Sequence, residues 1–309
     1  MTTKIIAQPI FDKYVPLIRE NVKKYQAETG RMPKLKIYSF GDKRNKAEMK
    51  LIKTLVSFNI EVTHGLVEFD NDSFQMYNYV LDLIHKDLVD PKINGIMLSR
   101  TDEVKSFMAE LMINNISAQK DTAGQTFSSL GKMFSDLDYK IQFQPLVSAV
   151  IELLDGQNFN SVCIISEQNA FAQQLMLAFS RLLDIDEICC ISPKKRNLNK
   201  IIRQADLVVS AVNVPNLITR GTVKTTQTIV DLGNNSIAGK LTGDFSKTCF
   251  TKALASLDYK TIIPVARLLL AYRLTEQAVE QLWRWFFGTT NIWQSQISSW
   301  DKARSSLVT

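Results

Sequence analysis

The apolar run Thr228-Ile-Val-Asp-Leu-Gly233 ends in a carboxylate and a glycine, and a second pair, Gly243-Asp244, follows a short polar loop. In an open parallel sheet, ligands bind beyond the carboxyl ends of the strands. A glycine at such an end lets backbone approach a ligand closely. The same residues serve equally as a plain strand-to-loop turn. A second stretch, Ser192-Pro-Lys-Lys-Arg-Asn197, gathers three cations. After the second strand of a dinucleotide-type fold, Lys194, Lys195 and Arg196 suit a 2′-phosphate and favour NADP over NAD. They also suit a solvated helix start. Nucleic acid is the weakest of the three readings, because no aromatic residues interleave with the cations.

Other chemistries are excluded by composition. His64 and His85 are the only histidines, and no second His or Cys lies at metal spacing, so no metal site is expected and both read as packing or surface residues. Cys163, Cys189, Cys190 and Cys249 sit in apolar contexts without a CxxC pair, which argues against a disulfide framework or a zinc site and for a reducing cytoplasm. No apolar run is long enough to span a membrane, and the N-terminus lacks the pattern of a secretory signal. The 309 residues, 45% apolar and 22% charged, suffice for two ordinary domains, and the net charge of +6 favours anionic partners.

The elements that must position these residues alternate between helical and extended periods. Phe11–Tyr25 predicts an amphipathic helix with Val15, Leu17, Ile18 and Val22 inward. Lys34–Gly41 predicts a strand and Asn45–Phe58 a helix. Another strand and helix follow, then a strand over Ile93–Ser99 and a helix that Thr101 would cap. A polar, weakly periodic segment from Lys120 to Gln142 reads as a connection between lobes. Beyond it, Pro145–Gly156 is a helix with proline at its start and glycine at its end. A second alternating block and a long C-terminal helix complete the pattern. Strand-helix alternation of this kind implies parallel sheets. The expectation is two α/β lobes around a cleft. Residues 1–144 form the first lobe, completed by 270–309, and residues 145–269 form a Rossmann-like NAD(P)-binding domain.

Ile201–Phe245 resembles the nucleotide domain of the methylenetetrahydrofolate dehydrogenase/cyclohydrolase family. The likeness rests on Ala205-Asp206, Pro215, Ile218-Thr219, Val223-Lys224, Ile229-Val-Asp-Leu-Gly233, Asn235 and Lys240-Leu-Thr-Gly-Asp244, in the family's order and spacing. Lys120-Asp-Thr-Ala-Gly124 resembles the family's KDVDG, and Asp90–Ser99 its third strand. The resemblance runs from about Phe11 to Trp285. It implies NADP on the C-terminal lobe, with Ser166, Asn213, Asp231 and Gly233 lining its site. It also implies a tetrahydrofolate derivative in the cleft and a homodimer.

The family places a tyrosine and, four residues later, a lysine on one helix face. Alignment from Gly41 puts Met49 and Lys53 there, which makes Lys53 the catalytic candidate, with Lys50 second. Alignment backward from Asn59-Ile60 puts Ala47 and Leu51 there instead. Ser99 takes the place of the family's glutamine, and Ala123 that of its pterin-holding aspartate, with Asp121 as the nearby substitute. Ser166-Glu-Gln-Asn-Ala-Phe-Ala172 replaces the glycine-rich nucleotide loop, with Glu167 at the family's arginine. These departures leave two functions open. One is a dehydrogenase in which the cyclohydrolase half is the more doubtful. The other is a non-catalytic relative that binds or regulates a partner, or a nicotinamide protein with a different substrate. The aromatic tail, with Trp293 and Trp300, reads as a packing or subunit contact.

Overall fold

Two parallel sheets carry the architecture. The computed structural model describes residues 3–40, 46–67, 74–99, 111–134, 143–167, 169–183, 185–238 and 240–287. Thr101 and most of the helix expected after it, and the tail with Trp293 and Trp300, lie outside the described residues.

In the first lobe, β2 (Lys34–Phe40) pairs in parallel with β3 (Glu61–Val67) on one side and β4 (Gly95–Ser99) on the other. Helix α1 (Gln8–Thr29) begins with Pro9 in its first turn, where the missing N–H is harmless. It ends at Gly30, whose φ of 68° is left-handed and whose N–H reaches the Gln26 carbonyl at 2.8 Å. Its buried positions are Ile10, Tyr14, Ile18, Val22 and Tyr25. Ile18 and Val22 face inward as expected, whereas Val15 and Leu17 are only half-buried. Helix α2 (Lys46–Ser57) covers the sheet with Leu51 and Leu55, and α3 (Phe74–Val89) packs Val80 and Ile84 among Tyr38, Ile96 and Leu98.

The second lobe is a six-stranded parallel sheet in the order β1-β11-β8-β7-β5-β6. Its strands are β5 (Ser161–Ile165), β6 (Glu187–Ile191), β7 (Leu207–Ser210), β8 (Thr228–Asp231) and β11 (Ala255–Leu257), with β1 (Thr3–Lys4) at the edge. The expected boundary needs one change here. Residues 3–4 pair with Ala255 and Ser256 and so belong to the second sheet, where they cover an edge that would otherwise expose unpaired amides. A hairpin of β9 (Asn235–Ile237) and β10 (Lys240–Thr242) projects from the loop after β8.

Helix α4 (Phe127–Met133) lies before the link to this lobe, and α5 (Pro145–Leu154) opens it. Helix α6 (Ala170–Leu182) joins β5 to β6, and the short α7 (Leu198–Ile202) joins β6 to β7. The long α8 (Tyr259–Phe287) leaves the second lobe and packs along both α5 and α1. One continuous apolar core therefore runs from Leu35 and Ile37 through Val147, Val150 and Leu274 to Ile164 and Val209.

Candidate functional site

The crossover of the second sheet falls at β5, which pairs with β6 on one side and β7 on the other. Ligands in such sheets sit beyond the carboxyl ends of the strands at this point. Ser166 follows β5 there and is fully buried. Its N–H donates to the Ile191 carbonyl at 3.0 Å, while its hydroxyl has no hydrogen-bond partner among the described residues. A buried hydroxyl without a partner costs about 1–3 kcal/mol unless something bonds it. The next residues start α6, where the Asn169 side chain accepts from Ala172 N at 3.1 Å, and Glu167 is exposed beside them.

The turn after β6 carries Lys194, Lys195 and Arg196, all exposed, with Ser192 Oγ accepting from Lys194 N at 3.3 Å. None of the three is ion-paired among the described residues. The turn thus presents uncompensated positive charge at the carboxyl end of the strand beside β5. A buried hydroxyl in need of a donor or acceptor, together with free cations on the adjoining turn, fits a phosphate-bearing dinucleotide.

Asp231 and Gly233 have a different role from the one their spacing suggests. Asp231 is buried at the end of β8. Its Oδ1 accepts from Gly233 N and Asp244 N, each at 3.0 Å, and its Oδ2 accepts from Phe245 N at 3.2 Å. Asp244 is fully buried and reciprocates across the neighbouring loop. Its Oδ2 accepts from Ser210 Oγ at 2.8 Å and Val212 N at 2.9 Å, and its Oδ1 from Val214 N at 2.9 Å and Asn235 Nδ2 at 3.2 Å. The two carboxylates therefore hold together the loops after β7 and β8. Burial pushes the Asp231 carboxyl up to about 6, against the pull of its three backbone donors.

The glycines are explained by the same pair. A Cβ on Gly233 would fall on the Asp244 carboxylate, and one on Gly243 on the Asp231 carboxylate. Asn213 is exposed in a left-handed conformation, φ 55°, and its Oδ1 accepts from Asn234 N at 2.9 Å. Asn213 is thus exposed beyond the end of β7, while Asp231 and Gly233 are buried beside it.

In the first lobe the crossover falls at β2, between β3 and β4, with Ser39 and Ser99 in register at the strand ends. Helix α2 buries Glu48, Leu51 and Leu55, while Lys50 and Lys53 are exposed and Met49 is half-buried. Lys53 lies two residues from Leu51, about 200° around the helix. It is therefore exposed, on the side of α2 opposite the buried Leu51. Sequence reasoning missed what does occupy the interior. Ser39 Oγ donates to Glu48 Oε1 at 2.7 Å and contacts His64 Nε2 at 2.9 Å, and His64 also pairs with Glu48. A histidine alone in a strand gave no signal for this cluster, because its partners lie on other elements.

Asp121 is buried, and its Oδ2 accepts from Thr126 N at 2.9 Å and Ser129 Oγ at 2.7 Å. Its loop is clasped by α8. Arg273 donates to the Thr122 carbonyl at 3.1 Å and to the Phe143 carbonyl, and Gln277 Oε1 accepts from Thr122 Oγ1 at 3.1 Å. One helical turn further on, Gln281 donates to the carbonyls of Asn94 and Gln119. Burial lowers the Arg273 guanidinium to about 10, opposed by Asp121 and Glu276. Lys120 lies inward too, donating to the Asp87 and Asp90 carbonyls at the end of α3. Gly95 is required because a Cβ there would overlap Thr122 Oγ1 and Leu274.

The sheet order and the chain's crossings between the sheets define a two-lobed α/β protein with a dinucleotide-type second lobe. Residues 147–267 match the family described as tetrahydrofolate dehydrogenase/cyclohydrolase, NAD(P)-binding domain. The Bifunctional protein FolD of Dictyoglomus thermophilum is 27% identical over 268 residues, covering 83% of this chain and 88% of that protein. The FolD of Lactobacillus helveticus is 26% identical over 275 residues, covering 86% and 92%. The solved bifunctional 5,10-methylenetetrahydrofolate dehydrogenase/cyclohydrolase of Thermoplasma acidophilum has the same fold, with a TM-score of 0.73 at 22% identity over 91% of this chain and 99% of that one. The second lobe thus matches the family's NAD(P)-binding domain, and the chain is similar to FolD proteins over most of its length.

Proposed function

We propose that the chain is an NADP-dependent dehydrogenase acting on 5,10-methylenetetrahydrofolate, and that hydrolysis of the methenyl product is not among its activities. The observation that carries this reading is a contrast between the lobes. The ligand-facing end of the second sheet offers the Ser166 hydroxyl and the exposed Lys194, Lys195 and Arg196. The first lobe buries Leu51 on the inner face of α2 and turns Lys53 outward.

The two reactions ask different things of a protein. The nicotinamide supplies the hydride acceptor, so oxidation requires mainly that both partners be held in alignment. Hydrolysis requires a group that moves a proton to or from water. No lysine stands on the inner face of α2 to do so. Ser166 would bond the cofactor backbone, and the basic turn its 2′-phosphate.

A second reading, a non-catalytic relative, is favoured by one further observation. Ala123 is buried where a carboxylate would hold the pterin, and the Asp121 carboxylate is engaged by Thr126 and Ser129. Calorimetric titration of the purified chain with NADP, followed by NADPH absorbance on adding 5,10-methylenetetrahydrofolate, separates the two. Binding with turnover supports the dehydrogenase. NADP binding without turnover refutes the dehydrogenase and leaves a nicotinamide protein with a different substrate, while absence of both, with capture of an active family enzyme by the chain, supports the non-catalytic relative.

A further inference from the structure

Three of the four cysteines lie on β5 and the edge strand β6 of the second sheet, and the dehydrogenase reading uses none of them. Cys163 on β5 and Cys189 on β6 are direct partners in the parallel register. Adjacent strands run about 4.8 Å apart, within the Cα separation that a disulfide spans. Both side chains belong to the cluster beneath α7, with Leu198 and Ile202. Cys190, the next residue on β6, joins the core on the opposite face of the sheet. Alternation along the strand therefore separates it from Cys163.

Exposure divides the roles within the pair. Cys163 is fully buried, whereas Cys189 is half-buried on a strand at the sheet edge. We infer that Cys163 and Cys189 form a redox-active dithiol, with Cys189 the attacking thiol and Cys163 the resolving one, whose oxidant is a small-molecule disulfide.

The exchange runs in two steps. The Cys189 thiolate attacks one sulfur of the disulfide RSSR, breaks its S–S bond and releases one thiolate, RS⁻, which takes up the proton that Cys189 lost. Cys163 then gives up its proton, and its sulfur attacks Cys189 Sγ and expels the second RS⁻, which that proton neutralises. The protein loses two hydrogens and two electrons, and RSSR gains both as two RSH. The neighbouring Cys163 thiol lowers the Cys189 thiol to about 7, while the Cys189 thiol and burial push Cys163 up. The downward direction at Cys189 suits the attacking role, since the thiolate is the nucleophile, and the upward one at Cys163 makes its attack the slower, second step. Burial pushes Cys190 up as well, which keeps it a thiol.

The test is incubation of the intact, folded chain with oxidised glutathione, acid quenching, alkylation of remaining thiols, and peptide mass spectrometry. The expected product is one Cys163–Cys189 link, with Cys190 and Cys249 alkylated. In Cys163→Ser or Cys163→Ala the expected product is a glutathione adduct that stops at Cys189. Cys190→Ser leaves the wild-type product unchanged. A stable adduct on wild-type Cys189 with Cys163 still free, a link through Cys190, or four free thiols would each overturn the inference. The wild-type experiment decides the matter even where a Cys163 variant folds poorly.

Discussion

Replacing Asp244 with alanine tests whether a carboxylate pair, rather than a ligand, organises the loops after β7 and β8. Asp244 accepts four hydrogen bonds, from Ser210 Oγ, Asn235 Nδ2 and the amides of Val212 and Val214. Ser210 and Asn235 are buried, so their donors have no easy route to water. The two amides are half-buried bonds that water can partly replace. With about 1–3 kcal/mol for each buried donor left unpaired, the buried pair alone accounts for about 2–6 kcal/mol. Removing the like charge beside Asp231 returns part of this, so a net loss of about 3 kcal/mol is expected. Urea unfolding should show a lower midpoint at an unchanged slope. A loss below about 1 kcal/mol would refute the reasoning, because it would mean that water or a neighbour satisfies those donors without the carboxylate.

Asp231 gives a pH dependence with a definite sign. Its folded value of about 6 lies above the ordinary carboxylate range, so the folded state holds this proton more tightly than the unfolded chain. Its contribution is fully present below about pH 4 and is lost as pH rises through about 6, a fall of roughly 3 kcal/mol at most. Urea unfolding across that window should show the fall in wild type and a flatter profile in Asp231→Asn. Arg273→Met removes the donors to the Thr122 and Phe143 carbonyls and should cost about 2–4 kcal/mol, with faster amide exchange at Thr126. Lys53→Met, by contrast, should change stability by less than about 0.5 kcal/mol, because the side chain is exposed, and should leave any turnover intact. Replacing Lys194, Lys195 and Arg196 together with alanine should weaken NADP binding about tenfold or more while sparing NAD, as read by calorimetry.

The architecture was legible because the apolar periods are strong. The strands over Ser161–Ile165 and Leu207–Ser210 are apolar apart from one terminal serine each, and the proline and glycine around α5 mark its ends. Residues 3–4 were not legible as a strand, since two polar residues carry no period and gain their place only by covering the β11 edge. The site was legible in position and less so in role. Asp231 does end a strand, with Leu232 and Gly233 following it. Its carboxylate is taken by a loop thirteen residues on, a pairing that exists only once the chain is folded. Lys53 illustrates the other limit. Two alignments differing by two residues fit α2, and that shift turns a side chain from the core to solvent. In the folded chain Leu51 is buried and Lys53 exposed.

The central claim is that the nucleotide lobe works while the proton chemistry of the first lobe is gone. Its most direct test follows both reactions in one preparation. NADPH formation is measured from 5,10-methylenetetrahydrofolate and NADP, and loss of the methenyl absorbance is measured separately. The account predicts NADPH formation, with methenyl hydrolysis no faster than in buffer. Enzyme-accelerated hydrolysis would contradict it, and so would the absence of NADPH.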